Sequence, residues 1–226
     1  MIEVSKKYDA VVFDMDGVIF DSEQATLSCW MELAEKYGFE DLETVFRMCL
    51  GTNHQRTKEI MLEKYGADFR YDEYAAEASV IYHARYDGGR LPMKPGVLEI
   101  LSYLKDSGKK IALASSSRRK TVVNQLRDAK ILDYFDAVIC GDMVERSKPE
   151  PDIFLTACRE IGVEPEMAFA IEDSFNGIRS AFAGRLRPIM VPDMVPANDE
   201  MREKAEVVLE SLQGVVEYLN RMTKDN

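Results

Sequence analysis

Residues 10–18 read Ala-Val-Val-Phe-Asp-Met-Asp-Gly-Val, and this short stretch indicates the fold. Residues 10–13 are apolar at every position, which is typical of a strand that is covered on both faces. Asp14 ends this run and Asp16 follows two positions later, so on an extended segment both carboxylates point the same way. Gly17 then allows a tight turn of the backbone. The stretch predicts a buried strand that presents paired carboxylates at one edge of a sheet.

Four further apolar runs are short and end at polar or turn residues. They cover residues 111–114, 137–140, 168–171 and 188–191. Helical spacing separates the later runs, as in the apolar set Val97, Ile100, Leu101 and Leu104. The alternation of strands and helices predicts an α/β fold with a Rossmann-like parallel sheet as its core.

Residues 22–89 interrupt this alternation, because they contain helical periodicity and no convincing strand. One predicted apolar face consists of Trp30, Leu33, Ala34 and Tyr37. The segment ends near Gly88-Gly89, a pair that suits a hinge or an ordinary loop. We therefore expect two domains: a Rossmann-like catalytic core over residues 1–21 and 90–226, and an inserted all-helical cap domain over residues 22–89.

The composition of the whole chain limits its partners and its location. The 226 residues carry a formal net charge of −11, and such an acidic chain lacks the electrostatic footprint needed to bind nucleic acid or an anionic membrane. No apolar segment has the length of a signal peptide or a membrane span. The four cysteines form no C-x-x-C pair, which predicts buried thiols. We expect a cytoplasmic monomer with no nucleic-acid or membrane partner.

Polar residues at the predicted strand ends suggest phosphoryl chemistry. In open parallel sheets, ligands bind beyond the carboxyl ends of the strands, where Ser115 and the pair Glu172-Asp173 follow their runs. A carboxylate can attack phosphorus while a second one shuttles the proton. Only Lys148 obviously offsets the carboxylates, so a phosphate dianion would be repelled by about 4 kcal/mol per like-charged pair near 4 Å. Bound Mg²⁺ would remove this barrier, and carboxylates are its preferred ligands.

Four short motifs, in order along the chain, resemble those of the haloacid dehalogenase superfamily with a small helical cap. They are residues 13–18 (Phe-Asp-Met-Asp-Gly-Val), 114–117 (Ala-Ser-Ser-Ser), 147–152 (Ser-Lys-Pro-Glu-Pro-Asp) and 171–177 (Ile-Glu-Asp-Ser-Phe-Asn-Gly). Each motif is weak alone, but four in sequence, three of them closing predicted strands, are specific together. The resemblance covers nearly the whole chain and is to the β-phosphoglucomutase and sugar-phosphatase subfamily.

The resemblance implies a Mg²⁺-dependent phosphohydrolase that acts on small phosphate esters, such as phosphorylated sugars, through an aspartyl-phosphate on Asp14. Asp16 would be the general acid and then the general base, and Lys148 would neutralise nucleophile and phosphate. The implied phosphate-binding groups are the Ser115 hydroxyl and backbone amides near Met15, Asp16 and Ser116. The implied magnesium ligands are Asp14, the Asp16 carbonyl, Glu172 and Asp173.

The alternative within the family is a hexose phosphomutase of the β-phosphoglucomutase type, and cap residues bear on the choice. In those mutases a histidine after the first motif senses the sugar, and an arginine of a cap loop clamps the distal phosphate. An ungapped alignment puts Thr26 and His54 at these two positions, with Arg56 nearby as a further candidate for contacting substrate. A neutral histidine grips a dianion less well than a guanidinium group does, so the pattern favours hydrolysis.

Three other functions fit the sequence less well. In the family, true dehalogenases lack the second aspartate of the first motif, and phosphonate hydrolases also depart there, so Asp16 argues against both. A non-enzymatic, phospho-accepting receiver module uses similar residue types. However, its acidic pair follows the first strand and its phospho-acceptor a later one, and the helical insertion has no counterpart there.

Overall fold

The computed structural model describes residues 7–50 and 54–224 of the chain. The strands are β1 Ala10–Phe13, β2 Lys110–Ser115, β3 Ala137–Cys140, β4 Ala168–Glu172, β5 Arg187–Met190 and β6 Val207–Val208. The α-helices are α1 Ser22–Tyr37, α2 Leu42–Cys49, α3 His54–Tyr65, α4 Tyr71–Tyr86, α5 Val97–Asp106, α6 Arg119–Asp128, α7 Asp152–Ile161, α8 Phe175–Ala183, α9 Asp199–Lys204 and α10 Leu212–Lys224. None of the helices in the described residues has both the length and the apolar composition to cross a membrane.

The six strands form one parallel sheet in the order β3-β2-β1-β4-β5-β6. Strand β1 is central and fully buried, and its residue Phe13 is in register with Leu113 on one side and Ile171 on the other. After β3 the chain crosses to the other side of β1, so the strand order reverses between β1 and β4. In open α/β sheets, ligands bind in the crevice at such a point. The predicted Rossmann-like sheet is confirmed.

Two details of the fold differ from the sequence prediction. The first five strands match the five apolar runs to within one residue at each end, but β6 was not predicted because two half-buried valines are too short to form a pattern. Tyr37 was placed on an apolar helix face, yet it is 49% exposed. Its hydroxyl donates a hydrogen bond to Glu77 at 2.6 Å, so this ring presents its polar end to solvent.

The chain divides into two compact units, Met1–Phe20 with Met93–Asn226, and Asp21–Pro92. The second unit contains α1 to α4, and Trp30 packs edge-on against Phe46 and Tyr74 in its interior, with ring centroids 5.3 and 5.7 Å apart. Near its end, Gly88 and Gly89 both have positive φ, at 72° and 80°, which favours glycine. The assignment of these units as catalytic core and cap stays a prediction.

The four cysteines, Cys29, Cys49, Cys140 and Cys158, are buried thiols that form no disulfide, as the sequence predicted. Burial raises the pKa of the last three thiols to about 11. They therefore stay protonated at neutral pH and act as small apolar packing residues.

Candidate active site

Asp14 lies at the carboxyl end of the central strand. Its backbone N–H donates to the carbonyl oxygen of Ile171 at 2.9 Å, so the β1–β4 ladder continues one residue beyond β1. The register of β1 makes Asp14 level with Ala114 on β2 and Glu172 on β4. Asp14 is only 6% exposed. Burial raises the pKa of its carboxyl group well above the usual range, although the charge of Lys148 acts in the opposite direction.

The backbone after Asp14 turns back on itself in a compact loop. The N–H groups of Ile19 and Phe20 both donate to the carbonyl oxygen of Met15, at 2.9 and 3.0 Å, and Gly17 N–H donates to Phe20. Gly17 has a φ of 78°, and a Cβ added there would overlap the carboxylate of Asp173. Glycine is therefore required at this position for two reasons: its backbone has a positive φ, and the side chain of Asp173, which follows β4, lies too close for a Cβ.

Lys148 is the cation at the centre of the site. Its ammonium group donates to a carboxylate oxygen of Asp14, to Glu172 Oε1 at 2.7 Å and to the carbonyl oxygen of Ala114 at 2.9 Å. The lysine side chain is 6% exposed. Burial alone lowers the pKa of Lys148, but the charges of Asp14 and Glu172 more than offset it, so the pKa is raised and the ammonium stays charged.

Glu172 is fully buried and uses both carboxylate oxygens. Oε1 accepts from Lys148, while Oε2 accepts from the N–H groups of Asp173 and Ser174, both at 3.1 Å, and from the Ser174 hydroxyl at 3.0 Å. Ser174 also caps α8, because its oxygen accepts from Gly177 N–H at 3.0 Å. A Cβ at Gly177 would overlap the Glu172 carboxyl group. The side chain of Glu172 is thus held on every side.

Three carboxylates converge at this edge of the sheet. Oxygens of Asp14, Glu172 and Asp173 all lie within 4.8 Å of one another, and Asp173 is 7% exposed. Hard carboxylate oxygens in this number and spacing fit a magnesium ion. Lys148 is bonded to two of these three carboxylates, and a divalent cation would supply further positive charge to the cluster.

The second aspartate of the first motif is held by the second motif. Ser117 Oγ donates to Asp16 Oδ2 at 3.2 Å, and Asp16 is half-buried. Ser115 ends β2 and is fully buried, and its Oγ accepts from Ser117 N–H at 3.1 Å. The hydroxyl proton of Ser115 is therefore still available to an acceptor. Ser116, between them, is exposed.

A family model described as haloacid dehalogenase-like hydrolase matches residues 11–191, which include most of β1, all of β2 to β5 and all four motifs. The chain belongs to this family. It is therefore a haloacid dehalogenase-type enzyme, and this excludes the alternative of a non-enzymatic receiver module.

Proteins similar to this chain include both phosphatases and a mutase. A phosphorylated carbohydrates phosphatase of Thermotoga maritima is 31% identical over 173 residues, which are 76% of this chain and 80% of that protein. The β-phosphoglucomutase of Bacillus subtilis is 32% identical over 218 residues, 90% and 93% of the two chains. The crystal structure of a CbbY mutant from Rhodobacter sphaeroides in complex with xylulose-(1,5)bisphosphate has a TM-score of 0.71 at 27% identity, covering 91% of this chain and 95% of that one.

The three residues predicted to bear on substrate choice, Thr26, His54 and Arg56, belong to the helical unit. Arg56 donates from Nη1 to Glu59 and Glu63 of its own helix, both at 3.1 Å. The side chain of His54 lies outside the described part of the chain, as do residues 51–53 before it. The Thr26 hydroxyl donates to the carbonyl oxygen of Ser22 at 2.8 Å.

Sequence reasoning named the charged residues of this site but missed the small ones that hold them. Ser117 lies in the second motif and had no predicted role of its own, yet its hydroxyl donates a hydrogen bond to Asp16. Ser174 and Gly177 orient Glu172. A signal for Ser174 existed, since a serine directly before a predicted helix is typical of an N-cap.

Proposed function

We propose that this enzyme hydrolyses phosphate esters of small sugars through an aspartyl-phosphate on Asp14, with Mg²⁺ as its cofactor. The observation that carries the proposal is the buried Lys148, which bridges Asp14 and Glu172 beside Asp173. An ammonium group in this place stabilises the ionised form of the nucleophile against the effect of burial, and it attracts a phosphate dianion. Membership of a family that contains sugar phosphatases and phosphomutases supports the same reaction class.

The chemistry begins with a carboxylate oxygen of Asp14 attacking phosphorus. The ester P–O bond breaks, and Asp16, protonated, donates its proton to the departing sugar oxygen. The Asp16 carboxylate then accepts a proton from water as that water attacks the aspartyl-phosphate, which releases inorganic phosphate and regenerates Asp14. The bond from Ser117 holds Asp16 in one orientation for both steps. Lys148 offsets the negative charge throughout.

Mg²⁺ would be held by Asp14, Asp173 and the backbone carbonyl of Asp16. Glu172 was also predicted to be a ligand. Its four accepted hydrogen bonds favour a different role, in which it orients Lys148 and the backbone of residues 173 and 174. When bound, the ion would shield the carboxylates from phosphate and polarise the transferring group.

Hydrolysis is favoured over phosphomutase activity by Arg56. A mutase needs a cap cation that grips the distal phosphate of its bisphosphate intermediate, and Arg56 is instead paired with Glu59 and Glu63. Thr26 stands at the position of the sugar-sensing histidine, and its hydroxyl donates a hydrogen bond to a carbonyl oxygen of its own helix. Thr26 also lines a cavity of about 250 Å³ in the helical unit, whose described lining carries no basic side chain.

The second candidate remains a β-phosphoglucomutase, which the 32% identity to the Bacillus subtilis enzyme supports. A panel of hexose, pentose and polyol phosphates, with β-glucose 1-phosphate among them, separates the two. We expect inorganic phosphate to appear in the presence of Mg²⁺ and to cease with EDTA. Isomerisation of β-glucose 1-phosphate to glucose 6-phosphate, followed with a coupled dehydrogenase, should be slower. Isomerisation that outruns phosphate release would establish the mutase, and full activity in EDTA would exclude the metal.

A further inference from the structure

Asp193 follows β5 at the same edge of the sheet as the carboxylate cluster, outside all four motifs. Its Oδ1 accepts a hydrogen bond from Lys94 Nζ at 2.5 Å. Its Oδ2 is buried and has no hydrogen-bond partner among the described residues. The side chain is 11% exposed. A buried carboxylate oxygen without a partner is uncommon and energetically unfavourable, so a ligand or water molecule is expected to occupy this position.

Asp173 is a candidate for sharing that ligand. Carboxylate oxygens of Asp193 and Asp173 lie within 4.8 Å of each other. Two carboxylates at this separation repel unless a cation or a hydrogen-bond donor lies between them. A water molecule can donate one proton to an oxygen of Asp193 and still bind elsewhere through its own oxygen.

Lys94 and the backbone hold Asp193 in place from two directions. Lys94 N–H donates to the carbonyl oxygen of Ile19 at 2.9 Å, and Met93 pairs with Phe20, so the lysine is fixed to the loop that follows the first motif. On the other side, Val191 N–H donates to the carbonyl oxygen of Glu172 at 2.8 Å. The position of Asp193 is therefore tied to both segments that carry the predicted metal ligands.

We propose that Asp193 is a positioning residue of the active site, and that its free oxygen accepts a hydrogen bond from a water molecule of the Mg²⁺ hydration shell beside Asp173. The inference rests on the proposed function, because it requires the cation at Asp14 and Asp173. Mg²⁺ retains several of its waters in protein sites. Groups that orient the ligands of a metal typically change its affinity 10- to 100-fold when they are removed.

The test measures Mg²⁺ binding directly, by isothermal titration calorimetry of the full chain. We expect Asp193→Asn to raise the Mg²⁺ dissociation constant about tenfold or more. The KM for a hexose phosphate at saturating Mg²⁺ should stay the same, and excess Mg²⁺ should restore most of kcat. A purely structural role would not produce this rescue. Asp193→Ala is the second variant, and circular dichroism without metal shows whether each variant is folded.

Asp142→Asn is the matched control. Asp142 also follows a strand at this edge of the sheet, but it is exposed and accepts from Arg119 N–H at 3.0 Å. Its Mg²⁺ affinity should equal that of the wild type. If folded Asp193→Asn and Asp193→Ala both bind Mg²⁺ within about twofold of the wild type, the inference is wrong while the proposed function stands. Wild-type protein that binds no Mg²⁺ would overturn the metal-dependent function, and this inference with it.

Discussion

The sheet unit and the helical unit of this protein place their side chains by different means. In the sheet unit, Asp14 and Glu172 are neighbours because β1 and β4 pair in register, and backbone hydrogen bonds continue to the last residue of each strand. In the helical unit, rings pack on rings: Phe39 lies 5.0 Å from Tyr65 and 5.1 Å from Phe69, centroid to centroid. No backbone ladder determines which of these rings faces outward.

We propose that this difference is one way in which a family can contain both phosphatases and mutases. The reaction centre depends on strand order and register. Many sequences can form the same strands, provided that the residues at their carboxyl ends are kept. In the proposed function, selection among sugars belongs to the helical unit, where side-chain packing between helices can change with single substitutions. Substitutions in the two units should therefore have effects of different size and kind.

The largest effect is expected for Asp14→Asn. The change is nearly isosteric but removes the nucleophile, so kcat for phosphate release should fall by at least about 10³-fold. Thermal unfolding should show that the variant remains folded, because the buried backbone bond to Ile171 is kept. A variant that retained more than a few per cent of wild-type kcat would refute the role of Asp14.

The next effect is expected for Lys148→Met, on both stability and activity. Removal of the lysine leaves the Asp14 and Glu172 carboxylates buried without their partner, which should cost about 3–5 kcal/mol of unfolding free energy without metal. Urea denaturation in EDTA measures this. The control is Lys110→Met, which removes an exposed lysine paired with Asp136 and should cost less than about 1 kcal/mol. Equal losses in the two variants would contradict the central place of Lys148.

A smaller effect is expected for Gly177→Ala. The new methyl group would overlap the Glu172 carboxyl group, which must then move and weaken its bond to Lys148. We expect kcat to fall by roughly tenfold or more. In the control, Gly214→Ala, the nearest atom to the new Cβ is 3.7 Å away, so α10 should be stabilised by about 0.5–1 kcal/mol with no change in kcat. Unchanged kcat in Gly177→Ala would show that Glu172 does not need its observed position.

The same contrast between strand register and side-chain packing determines which parts of the fold and the site could be predicted from the sequence. Asp14 could be recognised because a fully apolar run stopped at it, and Glu172 because another run did the same; parallel strand ends meet without further information. Tyr37 was misplaced because it is the last residue of α1, where its ring stays half exposed and its hydroxyl donates to Glu77. The proposed role of Asp193 corresponds to no local sequence pattern, because it depends on a lysine 99 positions away in the chain.

The smallest effect is expected for Arg56→Ala, in the helical unit. Arg56 is 49% exposed and pairs with Glu59 and Glu63 along α3. Exposed pairs of this kind contribute about 0.2–1 kcal/mol, so the melting temperature should change by only a few degrees. If the arginine has no substrate to hold, kcat and KM for hexose phosphates should both stay within about twofold of the wild type.

This small effect separates the two candidate functions, because a mutase would need the same residue for a different purpose. A guanidinium that clamped a distal phosphate would make a charge-assisted, bidentate contact. Its loss would lower kcat/KM for β-glucose 1-phosphate isomerisation by tenfold or more, a difference of at least about 1.4 kcal/mol in transition-state binding. Lys58→Ala is the matched control, since Lys58 pairs with Asp72 on the same unit. A large loss confined to Arg56→Ala would mean that the arginine leaves its glutamates for substrate, and the phosphatase assignment would give way to the mutase.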